Sequence, residues 1–200
     1  MNSELLEQFN VVGANGLPYS IPIHPNLVHL TLGLFIVAIL FDAVGVFLPV
    51  SKFIFKYFSV PVERENLFDV GWYNILAAAV ITSFTVVAGF YEMMLAEVPL
   101  DIKSAWGMTA METMLWHGMG GVFLLILILA MAVWRGLQRF VWRKQEDRQV
   151  QWLYLFAGAT IMFVMYVHGT LGAQMAAEFG IHNTADSLLR SGQDLNDMLK

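Results

Sequence analysis

Histidines are the side chains of this 200-residue chain best suited to chemistry, because it contains five of them and no cysteine. His24 and His29 bound the stretch "HPNLVH", His117 stands in "WHGMGG", His168 in "VHGTLGA", and His182 near the C-terminus. Neutral imidazole is the commonest metal ligand, and without thiolates any metal or haem must be held through nitrogen, oxygen or methionine sulfur. The same absence excludes disulfides, covalent c-type haem and cysteine-ligated iron–sulfur clusters.

The elements that must position these histidines are membrane spans. The chain is 58% hydrophobic and only 14% charged, where soluble domains carry about a quarter charged residues. Four apolar runs, roughly Leu27–Val50, Trp72–Leu95, Met114–Trp134 and Trp152–Ala176, each reach the ~20 residues that cross a bilayer as a helix. The pattern predicts an all-α integral membrane four-helix bundle, up-down-up-down, with "VERENLFD" and "RKQEDRQ" as polar connectors. Its division is a tail over 1–23, a transmembrane domain over 24–176 and a second tail over 177–200. Trp72, Tyr73, Tyr91, Trp134, Trp152 and Tyr154 stand at the run ends, where amphipathic rings favour the headgroup level.

Eight of the eleven Lys and Arg lie in the connectors after the first and third runs. By the positive-inside rule that side is cytoplasmic, so both termini are expected on the extracytoplasmic side. The membrane would be a bacterial inner membrane or a cyanobacterial thylakoid. No basic n-region with a cleavable apolar core opens the chain, so no signal peptide is expected. Pro25 suits the first turn of the first helix, where its missing N–H leaves nothing unsatisfied.

On this frame the histidines share a depth. His117 lies 18 residues before Arg135 and His168 lies 20 after Arg148, about 27 and 30 Å from the cation line; His29 is about 35 Å from Lys52. Three imidazoles from three helices at one level form a candidate cofactor site, since cofactor sites of bundles are built between facing helices. Imidazoles in the low-dielectric region are costly unless something satisfies them, and intramembrane ionisable groups are by default functional candidates. Bis-imidazole ligation of a b-type haem suits the pattern, with the glycines beside His117 and His168 giving a flat macrocycle access to the backbone. Two alternatives stand beside it: a histidine-ligated metal ion, and a cofactor-free structural or assembly subunit whose imidazoles only make hydrogen bonds.

The stretches "IHPNLVHLTLGLFIVAILFD", "ILAAAVITSFTVVAGFYE", "WHGMGGVFLLILILAMAVWR" and "YVHGTLGAQ" together resemble a bacterial family of predicted four-helix membrane proteins of unknown function. Members begin HPxLVHxxL and place one further histidine on each of helices 3 and 4. The likeness runs from about Ile23 to Gly172, with Leu30-Thr31 where many members read Phe-Pro. Some members are fused to a Rieske domain, which implies membrane electron transfer with haem; this chain has no such segment, so a Rieske partner would be a separate polypeptide. The motif carries over as His24, His29, His117 and His168. At least one haem b is expected, two if the four histidines pair off, with His29 and His117 or His168 as first choice of axial ligands and His24 as last.

Further expectations concern single residues. Asp42 should pair with Arg135 or Arg139, because an unpaired intramembrane carboxylate is expensive. Glu92 or Glu112 could accept a hydrogen bond from a histidine. The twelve methionines form no regular array and read as core filling rather than copper ligands. "KFIFKYFS" reads as an interfacial helix, and "TADSLLRSGQDLNDMLK" as an amphipathic tail able to dock a partner. No nucleophile elbow, phosphate loop or zinc-protease helix is present, so an electron carrier or redox-complex subunit is favoured over an enzyme acting alone. Expected partners are the bilayer and a quinol, a soluble cytochrome, a Rieske protein or a larger respiratory or photosynthetic complex, with no nucleic acid.

Overall fold

Four helices are long and apolar enough to cross a membrane, and the described residues contain no strand. The computed structural model describes residues 15–19, 21–47, 63–142, 150–184, 189 and 192. Helix α1 is Ile23–Val46, α2 Arg64–Met94, α3 Ala110–Leu137 and α4 Trp152–Ala177. A single π-helical turn, Gln138–Trp142, continues α3. The protein is therefore an all-α, multi-pass membrane protein. Large apolar side chains such as Phe84, Phe156 and Phe163 are exposed, as expected of helices that face lipid rather than water.

The helix ends follow local chemistry. Pro25 sits in the first turn of α1 as its missing N–H allows. Helix α2 begins eight residues before the expected Trp72, so "RENLFD" is helix rather than connector. Burial of Leu67 and Phe68 favours this extension, and Arg64 donates to the Gly45 carbonyl at 3.1 Å. Helix α3 begins at a reciprocal cap: the Thr109 N–H donates to Glu112 at 2.8 Å and the Glu112 N–H to the Thr109 hydroxyl at 3.3 Å. Helix α4 ends with a bond from the Ile181 N–H to the Met175 carbonyl across Gly180, whose φ of 68° needs a residue without a Cβ. The "KFIFKYFS" and "RKQEDRQ" stretches and most of the C-terminal tail lie outside the described residues.

Two compact units make up the chain, each drawing on all four helices. The core unit, Leu27–Val86 with Val122–Tyr166, packs Phe35, Ile39, Phe68, Ile75, Ile128, Met131 and Tyr154 into one apolar cluster. Within it Asp42 and Arg135 are both 0% exposed. The guanidinium grips the carboxylate with two bonds, Nε to Oδ2 at 2.7 Å and Nη2 to Oδ1 at 2.9 Å, and Nη2 also donates to the Phe68 carbonyl. Thr31 and Thr85 share a hydroxyl hydrogen bond at 3.0 Å between α1 and α2.

The histidine unit comprises Met1–Asn26, Val87–Gly121 and Val167–Lys200. Its small apolar cluster, Ala110, Phe179 and Ile181 backed by Ala96, Val98 and Met175, ties the α2–α3 loop to the end of α4. The Ala105 N–H donates to the Glu178 carboxylate at 2.6 Å in the same layer.

A candidate histidine site

His117 of α3 is the centre of the site. Its ring stacks on that of His168 from α4, with ring centres 4.3 Å apart and planes within 6°. The His24 ring from α1 meets it edge-on at 5.9 Å and 89°. Three histidines from three helices thus come together, and all belong to the histidine unit. His29 belongs to the core unit and is exposed.

Glycines set this arrangement. A Cβ on Gly120 would lie 2.6 Å from the His168 ring, and one on Gly172 would lie 3.0 Å from the His117 ring. Gly120 follows His117 by three residues and Gly172 follows His168 by four, so each helix presents an imidazole and, one turn on, a notch for the other helix's imidazole. His24 fills a third notch at Gly89 of α2, where a Cβ would lie 2.8 Å from its ring. The space these glycines provide is therefore taken up by imidazole rings.

The histidine nitrogens are incompletely satisfied. Nδ1 of His117 and Nδ1 of His168 are buried without a hydrogen-bond partner, which in an apolar setting costs about 1–3 kcal/mol each. Among the described residues no three His, Cys, Asp or Glu side chains stand ready to hold a bare metal ion.

Glu92 organises the surroundings in a way the sequence did not signal. One carboxylate oxygen accepts from the Tyr19 hydroxyl at 2.9 Å and from the N–H groups of Ile23 and His24 at 2.8 and 2.9 Å. It therefore caps the orphan donors at the start of α1, and these bonds go to backbone and tyrosine, while Glu112 serves the α3 cap. Burial, reinforced by the Glu92 hydrogen bond, raises the Tyr19 hydroxyl above the ordinary tyrosine range. His182 closes the same corner: Nδ1 lies 3.0 Å from the Asn15 carbonyl and Nε2 lies 2.9 Å from the Glu92 carbonyl. Both partners are acceptors, so the two bonds form together only on a ring carrying both protons.

Residues 20–185 match the model of a family described as "Predicted membrane protein (DUF2231)". The chain belongs to this family. All five histidines lie inside the DUF2231 match. Neither the curated proteins nor the solved structures hold a match to the chain.

Proposed function

We propose that this DUF2231 protein is a b-type cytochrome-like electron carrier that holds one haem through imidazoles of the His24, His117 and His168 cluster. The carrying observation is the meeting of three imidazole rings from three spans, two of them with a buried nitrogen lacking any partner. The donor chemistry suits haem iron, which takes paired imidazoles without thiolate or carboxylate.

Spacing excludes one pair. With metal–nitrogen bonds of about 2 Å, imidazoles on opposite faces of one iron have ring centres roughly 6 Å apart. His117 and His168 stack face to face at 4.3 Å, too close to bind opposite faces of one macrocycle, so His24, which lies 5.9 Å from His117, would hold the haem together with one of them. In this assignment the other ring of the stacked pair packs against the ligand and fixes its orientation, and His24 takes the place first expected of His29. Bound haem would supply one-electron chemistry, while Glu92 anchors the α1 turn that carries His24.

The cation distribution supports an extracytoplasmic placing of both termini, in a bacterial inner membrane or a thylakoid. Exchange partners there would be a quinol, a soluble cytochrome, a separate Rieske protein or a larger redox complex. A second reading, a cofactor-free structural subunit, is favoured by the filling of the Gly89, Gly120 and Gly172 notches by the rings themselves. The reduced-minus-oxidised visible spectrum of protein purified from haem-sufficient cells separates the two. Sharp low-spin haem b bands are expected; a well-folded, colourless protein would establish the structural reading instead.

A further inference from the structure

The core unit holds a second set of unsatisfied polar atoms, separate in chemistry from the histidines. Arg135 Nη1, Gln138 Nε2, Arg139 Nη1 and the Tyr154 hydroxyl are buried with no hydrogen-bond partner. The residues carrying three of them, Arg135, Gln138 and Tyr154, are each 0% exposed. Gln138 and Arg139 follow Arg135 by three and four residues, which puts both on the Arg135 side of the helix as α3 passes into the π turn. Tyr154 is tied to the same level by its edge-on contact with Trp134 at 5.8 Å, and Gln138 by the Gln151 N–H that its side-chain oxygen accepts at 2.8 Å. The π turn starts at Gln138, and such single turns recur at functional sites.

The chemistry of the corner selects its ligand. Arg135 is matched by Asp42 and Arg139 by Asp69, so an anion would enter without a counter-charge of its own, and a cation would face two guanidinium groups. A neutral ligand avoids both costs. Every unpartnered atom is a donor, and only the tyrosine oxygen can also accept. A water would bring two hydrogens needing acceptors; a carbonyl oxygen brings two lone pairs and none. Aromatic rings line the corner, with Phe68 5.7 Å beneath the Arg135 guanidinium. Arg139 is 20% exposed, and its neighbour Phe140 is exposed and packed edge-on against Trp72, so the end of this donor row reaches the surface of the core unit.

The geometry points to a binding site, at Arg135, Gln138 and Tyr154, for the carbonyl oxygen of a neutral, lipid-soluble aromatic carbonyl compound of the quinone class. It rests on the core unit alone, so its failure would leave the haem assignment standing, and the converse holds. The test is a titration of the purified full chain in lipid nanodiscs with a decyl-substituted benzoquinone, read as the rise in unfolding temperature. The control is the dimethyl ether of the matching hydroquinone, which has the same ring and tail but no carbonyl.

A saturable rise with the quinone and none with the ether is expected. Tyr154→Phe removes one donor, and Gln138→Glu keeps the oxygen that accepts from Gln151 while replacing the donor; each should weaken binding roughly tenfold. If one variant fails to fold, the other carries the test. An absent or unsaturable rise, an equal rise with the ether, or unchanged affinity in the variants would overturn the site, as would an experimental map showing water alone there with the quinone present.

Discussion

The two buried polar corners solve the same problem in opposite ways. At Asp42 and Arg135 opposite full charges are buried and matched, through a two-pronged ion pair with a backbone carbonyl in support. At His117 and His168 the groups can stay neutral, and the helices leave two of their nitrogens unanswered. A buried charge without its partner costs about 3–5 kcal/mol, whereas an unpaired neutral imidazole costs only about 1–3 kcal/mol. The first corner therefore reads as architecture with a donor-rich margin, and the second is the site we propose for a ligand.

Breaking the ion pair should have the largest effect. Arg135→Met leaves the Asp42 carboxylate buried among apolar side chains and should destabilise by about 3–5 kcal/mol. The double change Asp42→Leu with Arg135→Met should recover much of that loss, measured by thermal unfolding in detergent. A double variant as unstable as the single one would show that the pair contributes more than mutual neutralisation.

The histidine corner should respond to volume rather than charge. Gly120→Ala forces a methyl group into the His168 ring and should cost about 1–3 kcal/mol. Gly172→Ala, with its looser 3.0 Å approach, should cost less. Gly169→Ala meets nothing within 4 Å and should be neutral or stabilising by up to about 1 kcal/mol, from helix propensity alone. An equal effect at all three positions would show that the rings do not interlock as described.

The smallest effect belongs to the Tyr19 hydrogen bond. Burial and the Glu92 carboxylate keep its hydroxyl protonated above the ordinary tyrosine value of about 10. The contribution of the bond is therefore complete below that pH and is lost as pH climbs through the raised folded value. Limited proteolysis near residues 15–19 should stay constant from pH 7 to about 10 and increase above that. Tyr19→Phe should be cleaved more readily throughout and lack the alkaline step. An alkaline step that persists in the variant would assign it to another group.

Much of the fold was legible because bilayer thickness and apolar length are tied together; α4 ends within one residue of its expected boundary. Helix α2 was mis-started because Arg64, Glu65 and Asp69 look like connector, while the burial of Leu67 and Phe68 that makes them helical is a tertiary fact. The start of α3 was available in Thr109-x-x-Glu112, a capping pattern readable from sequence.

That Asp42 pairs with an arginine, Arg135 or Arg139, followed from cost alone; that it is Arg135, with Arg139 taken by Asp69, did not. That the His117 and His168 rings meet was legible from common depth, but that His24 rather than His29 joins them was not. Five residues separate them, about 140° around the helix, and α1 is apolar on all sides, so periodicity does not reveal which face is inward. The role of Glu92 was hidden for another reason: it caps a helix 68 and 69 residues away in sequence.

The assignment of the histidine corner is tested most directly by the reduced-minus-oxidised spectra of the His24→Ala, His117→Ala and His29→Ala variants, compared with the unaltered protein under the same haem supply. Low-spin haem b bands should be lost in His24→Ala and His117→Ala and be retained in His29→Ala. Bands that survive in His24→Ala but vanish in His29→Ala would contradict the account.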